Sequence, residues 1–415
     1  MLVFPSQYLP NLRILNLGHS ENLINLPDFG EVPNLETLNL EGCVNLISIS
    51  DNIFGLSSLE YLNLSGCSKV FNNPKHLKKL DSNETVLHSQ SKTSSLKLTT
   101  IGLHPKGLVS RLLSSLPSFS FLWALDISFC GLSQIPDAIG CIRWLGRLVL
   151  SGNNFVTLPS LRELSKLVYL DLQHCKQLIF LPELPLPESS TINVIKQSRL
   201  VGLYIFNCPE LGERNQYSSI TLSWLIQFVQ ANQESFAGFL HRIEIGTVIP
   251  GSEIPRWLNN QSLGNSMTIN LSPIVHDKDF LGLACFVVFS ARLDYPNITT
   301  NELEHNIYIS LEDHVGAGFE FSCPVIFYRD IFTPESDHTW LLYLPWDYPN
   351  LDTSFEDLDH ITMTTSIAGR QGLHGEVKKC GYRYVFKQDL QQYNSTMMHH
   401  RNSFAQKRKF LAIED

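Results

Sequence analysis

Nine cysteines and fourteen histidines carry the widest chemical repertoire in this 415-residue chain, and their spacing decides what it amounts to. Paired thiolates in Cys-x-x-Cys hold zinc or exchange disulfides, but no such pair occurs. Cys43, Cys67, Cys130, Cys175 and Cys208 recur instead at matching places, which suits a reduced thiol packed as a small apolar group. His399 and His400 adjoin in a polar stretch near the end of the chain, where a solvated pair is the simpler reading than a metal site. Neither the nucleophile elbow G-x-S-x-G, nor H-E-x-x-H, nor the phosphate loop G-x-x-x-x-G-K-S/T occurs. Scattered serine, histidine and aspartate residues cannot be assembled into a triad from the sequence. The sequence therefore predicts no catalytic residue, no cofactor and no metal site: the chain reads as a non-enzyme.

The elements that present the cysteines explain their spacing. Leu35 to Cys43 reads Leu-x-x-Leu-x-Leu-x-x-Cys, the leucine-rich repeat signature. The frame starts at residues 12, 35, 59, 122, 145 and 167, with steps of 23 (12 to 35), 24 (35 to 59), 23 (122 to 145) and 22 (145 to 167). A weaker copy comes at Leu200, Leu203, Ile205 and Cys208. Leu38 and Leu40 lie two residues apart, so a strand turns both to one side and Thr37, Asn39 and Glu41 to the other. One coil cannot bury its leucines alone, so coils stack and their strands form a parallel sheet lining a concave wall. That wall is expected to run through Ile14, Asn16 and Gly18 to Tyr169, Asp171 and Gln173. It suits a protein partner and offers no pocket for chemistry.

A single core stops growing near roughly 250 to 300 residues, so 415 residues imply more than one domain. Hydrophobic residues make up 43% and charged ones 17%, a foldable balance. The formal net charge of −9 gives no footprint for nucleic acid, and Lys407 to Lys409 reads as a solvated run rather than a nuclear address. No signal segment opens the chain, and its longest apolar run, 280–289, is far short of the ~20 residues that span a membrane. A cytoplasmic protein is the simplest reading, with the nucleus as the alternative. The domain reading is a solenoid over 1–212 with a surface-loop insertion at 74–120, a capping helix and linker over 213–242, an all-β unit over 243–388 and a disordered tail over 389–415. The β unit rests on short apolar runs such as MTINL, NIYISL, TWLLYL and YRYVF between Gly, Pro, Asn and Asp clusters, as in an antiparallel sandwich.

Pro250, Gly251, Ser252, Glu253, Ile254, Pro255 and Trp257 form the string PGSEIP-x-W, with Gln261, Ser262 and Gly264 just beyond it. With FLGLACFVVF at 280–289 and VKKCGYRYVF at 377–386, this resembles the C-JID, a jelly-roll or immunoglobulin-like module of plant resistance proteins. Those proteins carry a Toll/interleukin-receptor domain, an NB-ARC domain, leucine-rich repeats and then the C-JID. The resemblance implies recognition of a pathogen effector protein, restraint of an NB-ARC domain, or both. It implies no nucleotide binding or NAD cleavage here, because the motifs for both are missing. An alternative is a truncated product of such a NAD-cleaving receptor; extracellular repeats are disfavoured for want of a signal segment. Exposed aromatics and arginine dominate interface energetics, which selects Tyr61, Trp123, Arg147, Tyr169 and His174 on the solenoid. Trp123 has a second reading, packed between coils. Glu253 and Trp257 are candidates in the C-JID string, with a structural turn as the other reading of that string.

Overall fold

Two leucines on one side of a short strand need a neighbour that covers them, and the computed structural model shows the stack that results. It describes residues 8–72 (except 27), 111–187, 200–211, 214–231, 244–293 (except 256, 257, 259, 273, 275 and 276), 302–328 (except 317), 336–346, 358–368 and 373–414. Strands β1 (Ile14–Asn16), β2 (Thr37–Asn39), β3 (Tyr61–Asn63), β4 (Ala124–Asp126), β5 (Arg147–Val149), β6 (Tyr169–Asp171) and β7 (Leu200–Tyr204) pair in parallel in that order. Register never slips: Ile14, Thr37, Tyr61, Ala124, Arg147, Tyr169 and Gly202 form one row across the sheet. On the core side Leu38, Leu62, Leu125, Leu148, Leu170 and Leu203 are at most 1% exposed. Each such leucine contributes roughly 1.5–3 kcal/mol by leaving water.

The repeated cysteines stitch this stack. The thiols of Cys43, Cys67, Cys130, Cys175 and Cys208 donate to the carbonyls of Leu17, Leu40, Leu64, Leu150 and Leu172, each one coil back, at 3.1–3.4 Å. Asn153 does the same job through Nδ2, to Ile127 O at 3.0 Å. Only a protonated thiol can donate, and burial pushes Cys67 and Cys208 up to about 12. All five are buried.

The long gap in the period does not add a strand between β3 and β4, which pair directly. Helix α1 (Ser68–Asn72) leads into it, and α2 (Arg111–Ser115) with a 3-10 turn at Leu116–Ser118 leads out. Reading all of 74–120 as surface loop is therefore corrected at its end: Leu113 and Leu116 are 1% exposed and Phe119 3%. The apolar Leu112, Leu113 and Leu116 make a local helical face that a search for a 23-residue period passes over. The remainder of that stretch lies outside the described residues.

Beyond the solenoid come α3 (Arg214–Ala231), β8 (Glu244–Pro250), β9 (Asn260–Leu263), β10 (Ser266–Asn270), β11 (Phe280–Leu293), β12 (Glu302–Glu312), β13 (Gly318–Tyr328), β14 (His338–Pro345), β15 (His360–Ala368), β16 (Leu373–Phe386) and α4 (Leu390–Glu414). β8 adds to β7 in parallel and then pairs antiparallel with β14, so one twelve-stranded sheet runs from β1 through β7 and β8 into β14, β11, β16 and β9. A second, four-stranded sheet has the order β10, β15, β12, β13. The handover is close. Gly202 has φ +145°, and a Cβ there would stand 1.5 Å from the carbonyl oxygen of Gly246, so only glycine fits.

α3 packs against α4, β8 and β14, with Trp224, Leu225, Ile226 and Phe228 fully buried and Trp224 Nε1 donating to Pro185 O at 3.2 Å. The expectation of a disordered tail over 389–415 is overturned by α4. Polar composition suggested solvation, yet Tyr393, Met397 and Phe404, spaced as on one helix face, are at most 5% exposed.

Candidate recognition surface

The concave wall falls into two stretches that the sequence pattern does not distinguish. Along β1 to β5 it is mixed: Ile14 is 65% exposed and Thr37, Tyr61 and Arg147 are half-buried, while Asn63, Ser128, Val149 and Ser151 are at most 7% exposed. Ala124, though in the same row, is 1% exposed. Along β6 and β7 it closes: Tyr169, Asp171, Gln173, His174 and Tyr204 are at most 4% exposed. There the unit that begins at β8 meets the wall. His338 Nε2 accepts from Asn207 N at 3.0 Å, Phe206 lies 4.3 Å from the His338 ring and stacks on Phe289 at 6.5 Å, and His174 Nδ1 is 2.9 Å from Asn207 Nδ2.

Many wall side chains are committed to the coil that carries them. Asn16, Asn39, Asn63, Asp126 and Asp171 each accept from the backbone N–H two residues on, at 2.9–3.0 Å. These Asx turns bend the chain out of the strand, which is why the wall row is Asn or Asp in five coils. A left-handed residue follows each of the five, at His19, Gly42, Gly66, Phe129 and His174, and the same conformation comes at Gly152 and Asn207 in the two coils that have Val149 and Tyr204 in that row. Phe129 lies over Gly152, where a Cβ would meet its ring at 2.1 Å.

Around Arg147 the wall is a connected polar array. The guanidinium sits 3.7 Å from the Tyr169 ring centre, a cation–π contact, and Tyr204 packs against that ring at 5.1 Å. Tyr169 donates to Asp171 Oδ2 at 3.1 Å, Gln173 Nε2 donates to the same oxygen at 3.0 Å, and Ser151 donates to Oδ1 at 2.6 Å. With Gln173 N, that makes four donors on one buried carboxylate. Asp126 accepts from Ser128 N and Oγ, but burial prevails and raises it to about 6. Burial likewise raises the Tyr61 hydroxyl.

The predicted partner residues therefore divide. Tyr61 and Arg147 lie on the open wall, and half-buried Trp123 hydrogen-bonds through its backbone to Glu60, Gly146 and Arg147 at its edge. Tyr169 and His174 are corrected: both are covered, Tyr169 by Arg147 and Tyr204, His174 by Phe206 and Asn207. An alternating pattern marks the side of the sheet they occupy, not which neighbouring side chains lie over it. Glu253 is exposed and pairs with Lys379 at 2.9 Å, while Trp257 lies outside the described residues. Sequence reasoning missed the exposed pair Phe121 and Trp144, 55% and 54% exposed with rings 6.4 Å apart. Both immediately precede the first leucine of a repeat, one coil apart, and that spacing could have found them. Among the described residues no group of three acidic, histidine or cysteine side chains could hold a metal, and no helix is long and apolar enough to cross a membrane.

Residues 249–391 match the C-JID domain family. Disease resistance-like protein DSC1 of Arabidopsis thaliana is 34% identical over 196 residues, 42% of this chain and 16% of that protein. Disease resistance protein RPS4B of Arabidopsis thaliana is 27% identical over 274 residues, 58% of this chain and 23% of its own. TMV resistance protein N of Nicotiana glutinosa is 30% identical over 180 residues, 39% of this chain and 15% of its own. The chain thus spans 15–23% of the length of these relatives. Leucine-rich coils that run into a C-JID domain, with these likenesses, make the chain a homologue of the repeat and C-JID part of plant disease resistance proteins.

Proposed function

We propose that this chain is a non-enzymatic recognition module of plant innate immunity, which binds a pathogen effector protein, an NB-ARC domain of the same or a related receptor, or both. The accessible part of the wall, Ile14, Thr37, Tyr61 and Arg147, is the observation that carries this reading: these side chains stand free or half-free on a hydrogen-bonded ladder of unbroken register. Preorganisation of that kind lowers the entropy cost of binding. Homology to disease resistance proteins supplies the immune setting, and the C-JID, read as a jelly-roll or immunoglobulin-like sandwich, supplies a second surface around Glu253. The proposed compartment is the cytoplasm.

The test is binding of the purified chain to a panel of candidate effectors and to a related NB-ARC domain. Tyr61→Ala and Arg147→Ala are expected to weaken binding roughly tenfold or more, the usual size for an aromatic or arginine anchor. A folded chain that binds no member of either class contradicts the reading. A second reading is favoured by the 15–23% share of the relatives' length: a product of a longer NAD-cleaving receptor, whose other domains an upstream reading frame would encode.

A further inference from the structure

α4 leaves the C-JID and returns to the solenoid. It starts after β16, where Asp389 accepts from Phe386 N and from Arg383, both at 2.9 Å, and so fixes the direction in which the helix departs. Its buried face, Tyr393, Met397 and Phe404, then runs along α3 and reaches the last repeat connectors. Gln227 of α3 donates to Asn394 at 2.8 Å, and Phe404 meets Phe180 edge-on at 5.7 Å. His400 Nε2 lies 3.0 Å from Pro182 O. Arg401 Nε donates to Glu183 Oε1 at 3.2 Å, with only 15% and 11% of the two side chains exposed. The other Glu183 oxygen takes the Ser160 hydroxyl at 2.8 Å, while its backbone carbonyl accepts from Leu161 N at 3.0 Å. The ion pair therefore ties α4 to two successive coils.

We propose that α4 is a strap, latched by Arg401 and Glu183, that locks the C-JID to the last coils and can be released as a unit while both halves stay folded. A covered ion pair is the right chemistry for a latch. It adds little against an apolar contact of the same shape, but reversing one partner leaves two like charges out of water. Helices held by one face and a few polar contacts open below the global unfolding free energy, whereas the strands of the continuous sheet do not.

Hydrogen exchange of the full chain, with peptides resolved by mass spectrometry, tests this. Wild-type α4 and residues 180–187 are expected to be protected. Arg401→Glu is expected to speed exchange of α4 by about tenfold or more while the strand peptides keep their rates. Adding Glu183→Arg to Arg401→Glu is expected to bring the rate back toward wild type. Wild-type α4 exchanging like an unstructured peptide, unchanged rates in Arg401→Glu, or a double variant as fast as the single one each overturns the proposal. Should Arg401→Glu loosen the whole chain, Phe404→Ala decides: acceleration confined to α4 supports the strap, and uniform acceleration overturns it.

Discussion

The open and closed stretches of the concave wall are built from the same repeat, and they differ in which side chains lie over them. Tyr61 and Tyr169 occupy equivalent places in one row of the sheet, yet one is half-buried and the other 3% exposed. Asn39 and Asp171 also correspond; the first holds one backbone N–H, the second holds four donors. A solenoid position is thus accessible or covered according to the side chains that neighbouring coils lay over it.

The largest test of this contrast lies at the handover. Gly202→Ala puts a methyl group into the Gly246 carbonyl and is expected to cost roughly 3 kcal/mol or more, read from urea denaturation midpoints. A small loss would mean that the sheet does not run on unbroken. Asp171→Ala strands buried donors and is expected to cost about 2–4 kcal/mol, against about 1 kcal/mol for Asn39→Ala. Equal losses would erase the distinction between the two stretches.

Asp126, at the end of β4, supplies a pH test. Its folded value of about 6 lies above the usual carboxylate range, so between roughly pH 4 and 6 the folded chain holds a proton that the unfolded chain has released. Its contribution is fully present below about pH 4 and is lost as pH rises through about 6. Asp126→Asn is expected to flatten that part of the stability profile, and an unchanged slope would contradict the assignment. The smallest stability effect is expected at Tyr61→Ala, about 1 kcal/mol or less, although binding suffers.

The repeat register was legible in the sequence because a leucine that leaves the frame leaves the core; the rows from Ile14 to Tyr169 keep to it residue by residue. The cysteines were legible as buried thiols, though not as donors to the coil before. Coverage of Tyr169 and His174 was not legible, since it comes from side chains of neighbouring coils, Arg147 and Tyr204 over Tyr169 and Phe206 beside His174, with His338 and Phe289 in turn against Phe206. α4 was missed for a related reason. Its buried face is thin, one large apolar residue per turn or less, and it gains meaning only from the α3 and Glu183 surfaces that receive it.

The most direct test of the divided wall is hydroxyl-radical footprinting of the intact chain at its tyrosines. The account predicts that Tyr61 is oxidised about tenfold faster than Tyr169 and Tyr204, because exposed rings react and covered ones do not. Equal rates at Tyr61 and Tyr169 would contradict it and return the whole wall, closed stretch included, to the recognition surface.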